Sequence, residues 1–313
     1  IETSLFDMFE AGPGPSSSHT IGPMKAGHDF RTLCAALPPE VLACAADIRV
    51  RLFGSLSATG VGHGTTGAVL AGLLGHRPAT CPPGLLESLP ALPEGERTLC
   101  LGPAALVLAE GTVRRDAVQH AYPFSNTLVM ELLDAHGVVL CGREYYSVGG
   151  GFIQWKGWQP EERGKPAHPY RSMAQLRARL VETGLTIHEL ILENEMAVTG
   201  MGRAAILDRL AAIIELMEAS VRRGIEDGGP LPGTLGVHRK ARVLLMRAQR
   251  LPNEVDAFLG RLNAYAFAAA EENAAGGVIV TAPTCGAAGV MPALLYAMRH
   301  DLAIGDRAVR EGV

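Results

Sequence analysis

The stretch FGSLSATGVGHGTTGAVLAGL, residues 53–73, runs from a β-like segment through a loop into a helix. Just upstream, ADIRVRLFG (46–54) has the branched and alternating residues of a strand. Downstream, GTTGAVLAGLLG (64–75) reads as a helix packed on that strand. The loop between them is built of Gly, Ser and Thr and carries one histidine, His63. Strand, loop and helix in close succession predict an α/β layer.

The pattern extends on both sides. RTLCLGPAALVL (97–108), TLVMELLD (127–134) and GVVLCGREYYSVGGGF (137–152) read as further strands bounded by Gly and Pro, and TIGPMKAGHDFRTLCAAL (20–37) as a second helix. At residue 154 the texture changes. QWKGWQPEERGKPAHPYRS (154–172) is polar, proline-bearing and holds both tryptophans, as a linker would. Beyond it, RAAILDRLAAIIELMEASVRRGI (203–225) spaces its apolar residues three and four apart, the mark of an amphipathic helix. EVDAFLGRLNAYAFAAAEENAA (254–275) and GAAGVMPALLYAMRH (286–300) continue that theme. The expected fold is an α/β N-terminal domain over 1–153 followed by an all-helical C-terminal domain over 173–313, with small residues at the helix contacts.

Bulk properties narrow the function. A chain of 313 residues with 48% hydrophobic and 19% charged residues can bury the core of two domains. Its net charge of −4 offers no basic footprint for nucleic acid, and no apolar run is long enough to span a membrane. The six cysteines are scattered without CxxC spacing, which reads as reduced, mostly buried thiols in a cytoplasmic protein.

Three loops share one chemistry. In PSSSHT (15–20), hydroxyls sit where a helix begins, and free N–H groups with a positive dipole end favour an anion such as a carboxylate. His19 lies among those donors, placed to act as acid or base. The 53–73 loop repeats the design around His63, and in REYYSVGGGFI (143–153) Ser147 precedes Gly149 and Gly150 within bare backbone that can approach a ligand. Any one of these loops is commonplace, a capped helix or a tight turn. Three on one α/β domain point to a small-molecule site.

SLFDMFEAGPGPSSSHTIGPMKAG, GSLSATGVGHGTTGAVLAGL, EYYSVGGGFI, ENE, EENAAGGVIVTAPT and GAAGVMPALL together resemble the bacterial iron–sulfur-dependent L-serine dehydratases, in order and almost from end to end. The resemblance implies a β domain at 1–153, a helical α domain from about 170 and an active site between them. It further implies loss of water from L-serine, a [4Fe–4S] cluster as Lewis acid on the departing hydroxyl, and an oligomer, expected here as a homodimer. None of the four lysines (Lys25, Lys156, Lys165, Lys240) stands in a setting like that of pyridoxal enzymes. A base is then required, and His19 and His63 are the candidates. Ser16, Ser17, Ser18 and Ser147 are expected on the substrate carboxylate and amine, with Asn126 of PFSNT adding a contact.

In TAPTCGAAG (281–289), Cys285 is the expected iron ligand, opening a helix whose N-terminus would lower its pKa. The family pattern is PTNGACG, so Cys285 stands at the asparagine position and Ala288 at the cysteine position. The family's other cluster cysteines lie beyond the last residues here, so the sequence is expected to be an incomplete or short form. The acidic groups of LENEMA and AEENAAGG are expected as links between helices. Two rivals stay open: elimination from threonine or cysteine, and a cluster-free amino-acid-binding homologue.

Overall fold

The structure, a computed structural model, describes residues 3–160 and 162–313. Nine strands occur among these residues: β1 (Ala11–Pro13), β2 (Ala45–Phe53), β3 (Thr98–Leu101), β4 (Ala104–Val107), β5 (Val113–Arg115), β6 (Thr127–Asp134), β7 (Val139–Gly149), β8 (Phe152–Trp155) and β9 (Val278–Val280). The longer helices are α1 (Gly22–Ala35), α2 (Thr65–Leu73), α3 (Met173–Thr183), α4 (Ile187–Thr199), α5 (Arg203–Glu226), α6 (Ala241–Ala248), α7 (Glu254–Ala274), α8 (Val290–His300) and α9 (Asp306–Gly312).

The N-terminal half is a five-stranded sheet in the order β5-β2-β6-β7-β8, with β2 and β5 parallel and the other neighbours antiparallel. Ile48, Val50 and Leu52 of β2 alternate inward and meet Met24, Phe30, Leu70 and Leu73 of the two helices, all buried. The helices α1 and α2 touch through glycine. A Cβ on Gly72 would collide with the Met24 carbonyl, and one on Gly27 with the Val69 carbonyl. That close approach sets how the loops at the N-termini of both helices meet.

Two expected strands divide. Residues 97–108 form the hairpin β3–β4, a separate two-stranded sheet, because Gly102 adopts a positive φ of 54° and turns the chain. Residues 137–152 form β7 and the start of β8, with Gly149, Gly150 and Gly151 all at positive φ in the turn between them.

The C-terminal half is helical, packed around Ile206, Leu210, Ile214, Met217, Leu295 and Val309. As expected, small residues lie at its contacts: a Cβ on Gly224 of α5 would collide with Ala268 of α7. One strand departs from the all-helical reading. β9 pairs with β1, Ala11 opposite Val280, so the segment before PSSSHT is tied to the helical half. Phe6 joins that core, and Thr281 holds Glu10 through both of its backbone groups.

The buried carboxylates are links, Glu271 and Glu272 between helices as expected and Glu195 to the N-terminal segment. Glu195 accepts from the Ser4 hydroxyl and from the Leu5 amide at 2.8 Å, and Asn194 clamps His168 of the linker by its N–H and carbonyl. Glu272 accepts from Arg223 (2.8 Å) and Arg239 (3.0 Å), while Glu271 receives the Lys240 amide at the start of α6 (2.7 Å). The cysteines are free, but Cys44 and Cys100 are exposed, contrary to the expectation of mostly buried thiols. Cys100 lies on the outward face of a two-stranded ribbon, which leaves one side open to solvent.

Candidate active site

Residues 15–20 do not begin an ordinary α-helix. Ser17–Ile21 forms a π-helical turn leading into α1, and Ser16 caps it by accepting the His19 amide at 3.2 Å. The Ser16 carbonyl takes both the Thr20 (2.9 Å) and Ile21 (3.2 Å) amides. The Ser17 and Ser18 amides, one turn back, have no partner among the described residues. Such wide turns are frequent at functional sites. Here the turn leaves two N–H groups at a positive dipole end.

The 53–73 loop packs directly on this turn. Thr65 donates to the His19 carbonyl (2.6 Å) and Thr20 donates to the His63 carbonyl (2.8 Å), so each loop braces the other's histidine. The two imidazoles lie against each other, tilted by 42° with centroids 4.7 Å apart.

Their surroundings differ. His19 is buried, with Nδ1 2.9 Å from the Ser18 hydroxyl and Nε2 2.9 Å from the Ser55 hydroxyl, so both ring nitrogens are engaged. Burial, reinforced by the neighbouring His63, pushes its pKa below the usual histidine value, against a smaller opposing effect of the Ser55 bond. The loop around His19 is therefore a packed one. His63 is half-buried, and its Nδ1 lies 2.9 Å from the Thr59 carbonyl. A carbonyl can only accept, so Nδ1 carries a proton, and in the neutral ring the lone pair is on Nε2. That Nε2 has no partner among the described residues.

The third loop is brought to the same place, but as a brace. Ser147 is only 2% exposed, and its hydroxyl donates to the Ser18 carbonyl at 2.8 Å beside Gly22. Asn126 donates to the Ser147 carbonyl (3.3 Å) and receives the Ser147 amide on its own carbonyl (2.9 Å), while its Oδ1 is buried and unpaired. Gly149 and Gly150 lie in the hairpin turn, with Gly150 facing the Pro283 carbonyl of the helical half. Ser55, Thr59, Thr20 and Thr65 were not singled out in the sequence. Their only signal was their crowding beside the two histidines.

A cavity of about 500 Å³ opens between the two halves at this point, walled by Pro15, His63, Glu87, Thr234 and Ala275 among others. A second recess, of about 600 Å³, lies on α4, α5 and α9 and contains none of the residues expected at the site.

The family models for the serine dehydratase beta chain and the serine dehydratase alpha chain match residues 4–158 and 182–312. The chain belongs to the serine dehydratase family. It is 36% identical to L-serine dehydratase 2 of Escherichia coli strain K12, over 98% of this chain and 67% of that protein. It is 39% identical to an L-serine dehydratase of Streptomyces coelicolor, over 94% of this chain and 65% of that one, and 36% identical to L-serine dehydratase 1 of E. coli, over 95% and 66%. The chain thus spans about two thirds of the length of these curated relatives.

The residues of this serine dehydratase homologue do not by themselves fit an iron–sulfur cluster. Cys285 is 5% exposed, against Ile21, Ile279 and Ala288, and burial pushes its thiol up to about 12. The lowered pKa expected from a helix N-terminus is overturned. Cys285 opens only a short 3₁₀ turn, and desolvation outweighs any dipole there. Among the described residues no group of three His, Cys, Asp or Glu side chains could hold a metal. Cys285 nevertheless lies one apolar layer from the π-turn, through its contact with Ile21.

Proposed function

We propose that this chain carries the serine site of an L-serine dehydratase, which eliminates water from L-serine to give pyruvate and ammonia. One observation supports the reading above the rest. His63 has one nitrogen committed to Thr59 and the other idle on a cavity, and the unpaired Ser17 and Ser18 amides lie on the turn that packs against its loop, just beyond Pro15 of the cavity wall. In this account those amides and the Ser16–Ser18 hydroxyls bind the substrate carboxylate, and His63 Nε2 takes the Cα proton. Loss of the Cβ hydroxyl as water leaves aminoacrylate, which tautomerises to the imine and is hydrolysed to pyruvate and ammonia.

His19, with both nitrogens engaged, positions the turn rather than moving the proton. Ser147, Asn126, Gly149 and Gly150 hold the binding loop from behind. A cluster bound here would take Cys285 as one thiolate, the cysteine packed against Ile21 of the turn.

The burial of Cys285 favours a second reading, an amino-acid-binding homologue without turnover. An anaerobic preparation given iron and sulfide separates the two. Broad visible absorption, lost in Cys285→Ser, together with pyruvate from L-serine supports the dehydratase. Serine binding by calorimetry with neither colour nor pyruvate supports the binding protein. Substrate choice between serine and threonine or cysteine follows from the same calorimetry. The fold carries no helix long and apolar enough to cross a membrane among its described residues, and a cytoplasmic location is part of this proposal. So is a homodimer, supported by the exposed Val255, Leu259 and Phe267 on one face of α7 and Val290 and Leu294 on α8.

A further inference from the structure

Between α5 and α6 the chain leaves the helical layer as a strap. Its root is tied twice, by the Arg239 amide to the Gly229 carbonyl (2.9 Å) and the Leu231 amide to the Val237 carbonyl (2.7 Å), with a bridge between Pro230 and His238. Arg239 fixes that root to the buried Glu272 of α7 at 3.0 Å. Glu272 lies two residues before Ala274, where α7 begins to form the cavity wall, so strap and cavity share one anchor. The tip, Pro232, Gly233 and Thr234, lines the same cavity as His63.

Beyond its root the strap is held by nothing comparable. Gly233 and Gly236 are at positive φ, and Leu235 is 88% exposed. An apolar side chain left in water beside a cavity, on a segment with glycine pivots, gains by folding inward.

Building on the proposed serine site, we infer that the strap Gly229–Arg239 closes over the bound amino acid, burying Leu235 and shutting water out of the cavity above His63. The root stays fixed by Arg239 and Glu272 while the tip moves. Exclusion of water there shields the reacting carbanionic centre until the hydroxyl has left and strengthens the hydrogen bonds to the carboxylate.

The test uses the unmodified chain and L-serine. A chymotrypsin-type protease cutting after Leu235 should act at least about tenfold more slowly with saturating L-serine, and D-serine should give no protection. Leu235→Ser should bind L-serine roughly tenfold more weakly by calorimetry, since the buried side chain is lost, while its thermal midpoint stays unchanged because Leu235 is exposed in the free protein. Unchanged cleavage in the presence of bound serine, or unaltered affinity in Leu235→Ser, overturns the strap and leaves the serine site standing. Protection that follows protein concentration rather than serine also overturns it, since the strap then covers a second copy. Absence of any serine heat removes both the site and the strap.

Discussion

The imidazoles of His19 and His63 lie 4.7 Å apart in a tilted contact, yet only His63 has an idle nitrogen. Replacing His63 by alanine should lower turnover by about a hundredfold or more, as removal of a general base does, with little change in thermal stability. His19→Ala should behave differently. It breaks the bonds to Ser18 and Ser55 and should cost about 1–3 kcal/mol of stability, measured by urea unfolding. Equal loss of turnover with no loss of stability in both variants would contradict the division of roles.

The depressed pKa of His19 makes stability depend on pH in a definite direction. The unfolded chain binds a proton near the ordinary histidine value, whereas the buried ring resists it. Stability from this group is therefore complete above about 6.5 and is lost as pH falls toward the depressed value in the fold. Urea midpoints between pH 7.5 and 5.5 should fall, and His19→Ala should flatten that part of the slope. A slope unchanged in the variant would assign the effect elsewhere.

Much of the scaffold behind these histidines was legible, because it rests on local periodicity. The alternation in β2 and the three-and-four spacing in α5 are properties of neighbouring residues. The pairing of β1 with β9 was not, since three-residue strands at opposite ends of the chain carry almost no local signal. The π-turn escaped for a related reason. Its shape depends on Ser147 and Thr65 gripping the Ser18 and His19 carbonyls from other loops. The site's residue types could be read from the sequence, but which nitrogen is idle could not.

Cys285 should be slow to react. A thiol held near 12 is almost wholly protonated at pH 8, so iodoacetamide should modify exposed Cys44 and Cys100 first, as peptide mass spectrometry would show. Alkylation of Cys285 at an equal rate would mean the turn at 285–287 opens in solution.

Gly72→Ala tests the close approach of α1 and α2. Helix propensity alone predicts a gain of about 1 kcal/mol. The new Cβ, however, meets the backbone carbonyl of Met24, which cannot move aside as a side chain would. A net loss of about 1–2 kcal/mol is expected, with weaker serine binding, because the two loops separate. A more stable variant would refute the packing.

The exposed face of α7 and α8 should hold two copies together. Light scattering at micromolar concentration should give a dimer, and Leu259→Glu a monomer. A wild-type monomer counts against it.

The central claim is that His63 Nε2 removes the Cα proton of L-serine. Its most direct measurement is the release of deuterium from L-serine labelled at Cα, followed in anaerobically reconstituted protein beside His63→Gln and His19→Gln. Release by the wild type is expected, with release reduced by about a hundredfold or more in His63→Gln and an intermediate rate in His19→Gln. Undiminished release from His63→Gln, with release abolished in His19→Gln, would contradict it.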